Sequence, residues 1–283
     1  MTTPNTLQAN DPALVEPAFA RILCAVDGTE ASLAAVEQAA ILAGPRGALS
    51  LLAVTAESGS GKFHGAAIAP ARAQRILDHA SQIAAARGTT RCTQEIDPAE
   101  PPGDVIVARA AAHDLLALGA PATTHLTELL VGGIAAEVLR RRPCSVLFSR
   151  PVRAEGEFPG RLVVASDGSE ESDEVIRVAV GILAGRGSGV VLVHSDRHAD
   201  AGAADRIEEQ GAALTAATTG SCEVRVAPGP APESILEATR RPDTSLVVMG
   251  SRTRRGIRAV GGVSTHVVHE APCSVLLVPP TAG

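Results

Sequence analysis

Short apolar runs alternate along the chain with longer segments in which apolar residues recur at helical spacing. Apolar runs bounded by polar and glycine-rich turns are typical of strands that are covered on both faces. In the first half they predict strands at 21–26, 48–54, 90–96, 115–118 and 145–148, separated by helices at 32–42, 71–87, 104–112 and 133–141. The second half predicts strands at 161–165, 190–194, 223–226, 245–249 and 274–278, with helices at 171–183, 203–219, 232–240 and 262–270. This alternation favours an α/β fold with a parallel sheet between two helical layers.

The alternation repeats because one unit of sequence is present twice. The segment GGIAAEVLRRRPC at 132–144 returns as GGVSTHVVHEAPC at 261–273, and ILCAVDGT at 22–29 returns as LVVASDGS at 162–169. The two offsets, 129 and 140 residues, match the length of a whole domain. We predict a disordered tail over 1–18, a first domain (copy one) over 19–149, a linker over 150–160 and a second domain (copy two) over 161–279.

Composition narrows the class of protein. Hydrophobic residues make up 45 % of the chain, but no apolar run reaches the roughly 18 residues of a membrane-spanning helix. The net charge is −6, and four Phe are the only aromatic residues, which removes the cationic surface and the stacking platforms typical of nucleic-acid binding. Residues 1–17 lack a basic segment followed by an apolar one, so no signal peptide is predicted. We expect a cytoplasmic protein that binds neither nucleic acid nor membranes.

The cysteine and histidine residues form no evident metal or redox motif. The five cysteines include no C-x-x-C pair, and an odd number in a chain expected in the cytoplasm argues against a disulfide framework. Cys144 and Cys273 each follow a proline and begin an apolar run, where a small apolar side chain packs well. His266 and His269 have no further ligand at metal-site spacing. We expect buried thiols, with a redox role as the alternative, and no metal site.

Ligands of doubly wound sheets bind beyond the carboxyl ends of the strands, where the strand order reverses. In each copy this rule indicates three places: the Asp-Gly turn after the first strand, the end of the second strand, and the loop after the fourth strand. A carboxylate in the first place can accept hydrogen bonds from a base amine or a ribose hydroxyl, although Asp-Gly is also ordinary turn chemistry. The glycines and the helix N-terminus in the third place can offer backbone N–H groups to phosphates.

The segment SLVVMGSR at 245–252, the segment 262–278 and the two Asp-Gly turns together resemble the universal stress protein family. The resemblance covers residues 21–149 and 161–279. It implies two tandem, doubly wound five-stranded parallel sheets in the order 3-2-1-4-5, an adenine nucleotide alpha hydrolase-like fold. It also implies pairing of domains as dimers or tandem pseudo-dimers. Members of the family divide into those that bind ATP and those that do not, and the binding members share the pattern Gly-x₂-Gly-x₉-Gly-(Ser/Thr) after the fourth strand.

Copy one departs from this pattern in residue type. Gly119 is followed by Ala122 where the family has glycine, and Gly132 and Gly133 stand where the family has Gly-Ser. The length of the loop is kept. A Cβ at position 122 costs about 1 kcal/mol if the position needs a positive φ. The loop also contains Glu128 and no Lys or Arg.

Copy two departs in length as well. Gly250, Ser251 and Arg252 are followed by Thr253 in place of glycine, and seven residues rather than nine then lead to Gly261 and Gly262. The loop carries four arginines, which either neutralise phosphates or lie in solvent: Arg252, Arg254, Arg255 and Arg258. If phosphate binds, we expect this loop to contribute most of the electrostatic attraction, so that Arg252→Ala and Arg255→Ala weaken binding more than Ala122→Gly strengthens it.

The resemblance implies a set of nucleotide-binding candidates: Asp27, Val54, Gly119, Gly132, Gly133, Asp167, Ser195, Gly250, Arg252, Gly261, Gly262 and Ser264. One hypothesis is a stress-response binding module with degenerate sites for ATP or another adenine nucleotide, Mg²⁺ entering only with the nucleotide. The alternative is a nucleotide-free platform for an unknown protein partner. No catalytic constellation is evident, and the only lysine is Lys62, so we expect no enzyme. Because edge strands are normally paired, we predict that the last strands of the two copies face each other across a pseudo-twofold axis near Val146 and Val275, in addition to any homodimer.

Overall fold

The computed structural model describes residues 18–55, 68–99, 101–120, 133–152, 157–184, 188–195, 202–251 and 262–280. The elements of copy one are β1 (Arg21–Ala25), α1 (Glu30–Ala43), β2 (Ala48–Val54), α2 (Pro70–Ala86), β3 (Arg91–Asp97), α3 (Pro102–Ala110), β4 (Leu115–Gly119), α4 (Ile134–Arg141) and β5 (Ser145–Ser149). Those of copy two are β6 (Arg161–Ser166), α5 (Ser172–Leu183), β7 (Val190–Ser195), α6 (Ala203–Ala217), β8 (Cys222–Ala227), α7 (Ala231–Ala238), β9 (Thr244–Gly250), α8 (Val263–Glu270) and β10 (Ser274–Val278).

The ten strands form one sheet in the order β3-β2-β1-β4-β5-β10-β9-β6-β7-β8. Within each copy the order is 3-2-1-4-5 and the neighbouring strands are parallel. The predicted fold class is therefore confirmed. Element bounds differ from the predicted ones by up to two residues at most ends; α3, for example, begins at Pro102 rather than Asp104, because proline is well suited to the first turn of a helix.

Helices cover both faces of the sheet. On one face, apolar side chains of the strands pack with α1, α2, α5 and α6, and on the other face they pack with α3, α4, α7 and α8. Alternate residues of β1 show the division, since Ile22 and Cys24 belong to the first core and Leu23 to the second. No helix in the described part of the chain is both long and apolar enough to cross a membrane.

The two copies meet where β5 pairs antiparallel with β10. Leu147 lies opposite Leu276, and both are fully buried. The pseudo-twofold axis passes through this pair, one residue from each of the predicted positions Val146 and Val275. The prediction that the last strands face each other is confirmed, and the pairing removes one exposed edge from each copy.

Arg150, at the end of β5, reaches across this junction and is only 5 % exposed. Its guanidinium donates hydrogen bonds to the carbonyl oxygen of Val268 in the last turn of α8 (2.7 Å) and to that of Cys273, three residues beyond the helix (3.3 Å). Burial lowers the pKa of the guanidinium, and the thiol of Cys273 acts in the opposite direction. The negative end of the helix dipole and the carbonyl groups compensate the buried charge. The residue that directly follows the last strand of copy one therefore caps the last helix of copy two.

A second hydrogen-bond chain fixes the backbone at the same place. The amide of Gln38 in α1 donates to the carbonyl oxygen of Arg150 (2.8 Å), and the Ser274 hydroxyl donates to the Gln38 side-chain oxygen (2.8 Å). The backbone N–H of Arg150 donates to the Ser274 hydroxyl oxygen (3.0 Å). Side chains from both copies thus share one buried network.

The other end of the junction is closed by Arg142, the left-handed C-cap of α4. Its Nε donates to the carbonyl oxygen of Leu139 (2.8 Å), and its guanidinium also donates to the carbonyl oxygen of Ser251 in copy two. Each copy's last helix is thus capped by a guanidinium, in one case from its own copy and in the other from across the junction.

Candidate functional site

The turn after β1 is built by the Asp27 carboxylate. Its Oδ1 accepts hydrogen bonds from the backbone N–H of Thr29 (2.9 Å) and from the Thr29 hydroxyl (2.6 Å), and Thr29 in turn caps α1. Partial burial acts to raise the pKa of Asp27, but the hydrogen bonds from Thr29 and Ser32 outweigh it and hold the pKa below its usual value. Asp27 is therefore ionised at neutral pH, and it remains exposed.

The turn after β6 repeats this arrangement. Oδ1 of Asp167 accepts hydrogen bonds from the backbone N–H (3.1 Å) and the hydroxyl (2.6 Å) of Ser169, and from the hydroxyl of Ser172 (2.6 Å). Both aspartates consequently have the turn-capping role that Asp-Gly chemistry predicts.

Gly28 and Gly168 follow these aspartates and have positive φ angles, +81° and +74°. An L side chain is strained in that region, which explains the glycine in both copies. A Cβ at Gly28 would lie 2.8 Å from Cδ1 of Ile76 in α2, and one at Gly168 would lie 2.9 Å from Cβ of Ala203 in α6. The second helix of each copy therefore lies against the turn that carries the candidate aspartate.

In copy one the Asp27-Gly28 turn and α2 form the walls of an open groove of about 270 Å³. Its lining residues are Gly28, Leu33, Arg72, Arg75, Ile76 and His79. Arg72, Arg75 and His79 follow one another at helical spacing and are exposed. Neither arginine forms an ion pair with a carboxylate in the described part of the chain. Within the described ranges the groove thus presents two arginines that form no ion pair, in a chain of net charge −6.

In copy two the same region holds a polar network. The buried Ser166 hydroxyl donates to Oε1 of Gln210 (2.6 Å), whose amide donates to Oδ1 of Asp173 (2.7 Å). Arg206 donates to the other oxygen of Asp173 (2.9 Å). Nδ1 of His194 lies 3.0 Å from the Ser166 carbonyl oxygen, which only accepts, so the proton is on Nδ1. These polar groups satisfy one another.

Copy one has apolar residues at the positions that match Ser166, His194 and Gln210. Val26 and Ala53 match the first two by sequence offset and strand register, and Ala80 matches Gln210 by the spacing of buried residues in α2 and α6. All three are buried. The two copies have therefore diverged at the carboxyl edge of the sheet, copy one toward an apolar floor beside a cationic groove and copy two toward an internally bonded cluster.

The ends of the second strands also differ. Val54 is half-buried and packs against the core on the α3 face. Ser195 in copy two donates its hydroxyl to the carbonyl oxygen of Gly229 (2.7 Å). The first offers apolar surface, and the hydroxyl of the second already has a partner.

Gly119 and Gly250 end β4 and β9 at matching positions. A Cβ at Gly119 would lie 2.5 Å from the backbone nitrogen of Ser32 and 2.6 Å from the carbonyl carbon of Ala31, so the close approach of α1 requires glycine. Among the residues that the structure describes, a Cβ at Gly250 would meet only Cγ2 of Val175, at 3.7 Å. Gly119 therefore has a packing reason that Gly250 lacks.

Gly133 and Gly262 are the N-caps of α4 and α8, and neither helix has a side-chain cap hydrogen bond. Their φ angles, −85° and −71°, are open to any residue. Ser264 is buried in the first turn of α8. Gly132, Gly261, Arg252 and the rest of the two loops lie outside the described residues.

None of the five cysteines forms a disulfide, and burial is the main cause of the raised pKa values of Cys24, Cys92 and Cys144. Cys24 and Cys273 are buried, and the other three are half-buried. Burial raises the pKa of Cys144 to about 12, which keeps it protonated and unreactive at neutral pH. His269 is buried in α8, where desolvation is the first cause of its lowered pKa. Among the described residues no group of three or more His, Cys, Asp or Glu is placed to hold a metal ion.

The glycine pattern does not point to the groove of copy one. Arg72, Arg75 and His79 lie far in sequence from both the Asp-Gly turn and the loop after β4. Their spacing on one face of a predicted helix was the only signal in the sequence, and charged helix faces are common on protein surfaces.

Comparison with known proteins agrees with this fold. The model of the universal stress protein family matches residues 18–150 and 160–279. A universal stress protein from Archaeoglobus fulgidus has a similar structure, with a TM-score of 0.73 and 18 % identity over 94 % of this chain and 98 % of that one. A functionally unknown protein and a putative universal stress protein, both from Pseudomonas aeruginosa, each give a TM-score of 0.62 at 18 % identity; both alignments cover 93 % of this chain, and 93 % and 94 % of those chains. The search of curated proteins returned no match. Because the family model matches both copies, this chain belongs to the universal stress protein family.

Proposed function

We propose that the chain is a stress-response binding module that holds an adenine nucleotide, chiefly in copy one. The observation that carries this proposal is the groove beside the Asp27-Gly28 turn, where Arg72 and Arg75 present positive charge without a carboxylate partner in the described residues. The groove opens at the carboxyl end of β1, on the edge of the sheet where α/β proteins bind ligands. An anionic ligand supplies the charge that the groove lacks.

In this proposal, different candidate residues of copy one contact different parts of the nucleotide. The exposed, ionised Asp27 accepts hydrogen bonds from a ribose hydroxyl or a base amine, and Val54 offers apolar surface to the base. Gly119, Gly132 and Gly133 belong to the loop that approaches the phosphates in this family, and the uncapped N-terminus of α4 follows it. Mg²⁺ enters only with the phosphates. We propose that the protein acts in the cytoplasm by changing which partner docks, not by catalysis.

Copy two is the weaker site in this proposal. The hydroxyl of Ser195 already donates a hydrogen bond to the carbonyl oxygen of Gly229, and the polar groups beside Asp167 form hydrogen bonds with one another. The loop is two residues shorter than the family pattern. Its candidates are Asp167, Ser195, Gly250, Arg252, Gly261, Gly262 and Ser264. The sequence by itself favours copy two because of its arginines, and the groove on α2 is the reason that we place the stronger site in copy one.

We expect the double variant Arg72→Ala, Arg75→Ala to bind MgADP about tenfold more weakly than the unchanged chain, which corresponds to about 1.4 kcal/mol. The reason is the loss of two charge-assisted contacts to phosphate. Isothermal titration at low ionic strength measures the effect. Arg91→Ala is the matched control, because Arg91 is also exposed but lies on β3 away from the groove, and its affinity should stay within about twofold. A larger loss from Arg252→Ala with Arg255→Ala would place the site in copy two instead.

The second candidate function is a nucleotide-free interaction platform. It is favoured by the network of Ser166, Gln210 and Asp173, in which these polar groups of copy two bond to one another rather than to a ligand. If the titration detects no binding of MgADP or MgATP at millimolar concentration, this second function replaces the first.

A further inference from the structure

The strand β8 is the edge of the sheet in copy two. Val224 and Val226 are 47 % and 57 % exposed, the highest values among the large apolar side chains of the described residues. Being two residues apart in a strand, they lie on the same face as Cys222. Glu223 and Arg225 alternate with them on the other face and pair with each other (2.8 Å). An edge with exposed valines and unpaired backbone groups invites another strand.

The opposite edge, β3, is protected. Gln94 occupies the position that matches Val224. Its amide donates to the Leu77 carbonyl oxygen (3.3 Å), and its Oε1 accepts a hydrogen bond from the Gln74 amide (2.8 Å). Asp97 on the same strand pairs with Arg109 (2.8 Å). Polar and charged side chains are a common protection of edge strands. The strands β3 and β8 occupy equivalent edge positions in the two copies. Their place in the fold therefore does not explain why β8, unlike β3, exposes valines.

We propose that β8 pairs antiparallel with β8 of a second copy of this chain, about a twofold axis at Val224. In this register Val224 lies opposite the partner's Val224, and Cys222 lies opposite the partner's Val226. On the other face Glu223 lies opposite the partner's Arg225, and Arg225 lies opposite the partner's Glu223. Apolar residues meet apolar residues and opposite charges meet, as cross-strand pairs require.

The self-complementarity selects a second copy as the partner. A twofold interface must match a patch to itself, and the sequence Cys-Glu-Val-Arg-Val does so on both faces at once. A strand of an unrelated protein would gain the backbone hydrogen bonds but would have no reason to match the alternation of charge. The pairing joins two ten-stranded sheets edge to edge, independently of the nucleotide proposal.

Mixing two charge-reversal variants tests the register. The variant Arg225→Glu has two acidic residues on the face of β8 that bears Glu223, and the variant Glu223→Arg has two basic residues there. Each variant should therefore fail to self-associate. Their mixture should associate again, since every charge then meets its opposite. Sedimentation velocity of the full chain between about 5 and 500 μM measures this, and we expect the unchanged chain to dimerise with a dissociation constant in the range of roughly 10–100 μM, as befits a small interface.

Two further variants keep the test decisive. Val224→Lys places a charge on the exposed edge and should abolish the dimer, whereas Gln94→Lys, at the matching position of β3, should leave it unchanged. Far-ultraviolet circular dichroism confirms that each variant is folded. A chain that stays monomeric at the highest concentration, a dimer that survives Val224→Lys, or a mixture of the two charge variants that does not associate would each overturn the proposal.

Discussion

Replacing Arg150 by alanine is expected to lower the free energy of unfolding by about 3 kcal/mol. The side chain is almost fully buried and satisfies carbonyl oxygens at the end of α8, including that of Val268. Without it those oxygens are left buried and unpaired, and the C-terminal dipole of α8 loses its compensating charge. Urea unfolding followed by far-ultraviolet circular dichroism is the suitable measurement, because the chain has no tryptophan for fluorescence.

Arg140→Ala is the matched control for this substitution. Arg140 lies ten residues earlier on α4, and its side chain is 66 % exposed. Its removal should leave the midpoint of unfolding unchanged. If Arg150→Ala shifts the midpoint no more than Arg140→Ala does, the contact across the junction does not stabilise the pairing of the two copies.

Replacing Gly119 by alanine should destabilise the chain by about 2–3 kcal/mol. The new Cβ would lie 2.5 Å from the backbone nitrogen of Ser32, and backbone atoms at the start of α1 cannot move aside without shifting the helix. Gly250→Ala, at the matching position of copy two, should change stability by less than about 0.5 kcal/mol, since its Cβ would make one ordinary contact. The same urea unfolding experiment compares the two variants.

This pair of variants separates packing from ligand binding at the first glycine of the family pattern. A large loss of stability for Gly119→Ala alone means that copy one keeps this glycine for the approach of α1 to β4. Equal losses in the two variants would contradict the packing explanation. Equal tolerance, with weaker nucleotide binding only in Gly119→Ala, would assign the glycine to the ligand instead.

Most of the fold could be predicted from the sequence because it depends on local signals. Short apolar runs, Asp-Gly turns and the repeated segment ending in Pro-Cys predict the elements, and the resemblance supplies the strand order. The pairing of β5 with β10 was also predictable, because the last strand of each copy is apolar and needs a partner at the edge. The first and last residues of the helices were harder to predict, since the terminal turns of helices depend on tertiary contacts.

The parts that could not be predicted depend on contacts between residues far apart in sequence. Arg150 begins the predicted linker, yet it caps a helix 118 residues later. Ser166 and Gln210 are 44 residues apart and look like ordinary strand and helix residues until the fold brings them together. The groove of copy one is likewise visible only when α2 is placed against the Asp27-Gly28 turn. The glycine pattern of the family identifies loop residues near a ligand, but it contains no information about the helix, here α2, that lies opposite them.

The adenine content of the purified chain tests the central claim most directly. Without tryptophan or tyrosine the polypeptide absorbs little in the near ultraviolet, so bound adenine dominates the spectrum, and chromatography of an acid extract identifies it. We expect gently purified protein to carry much less than one adenine per domain and, after titration with millimolar MgATP, to approach about one per chain, held in copy one. Two ATP per chain would contradict the claim that the sites are degenerate and unequal.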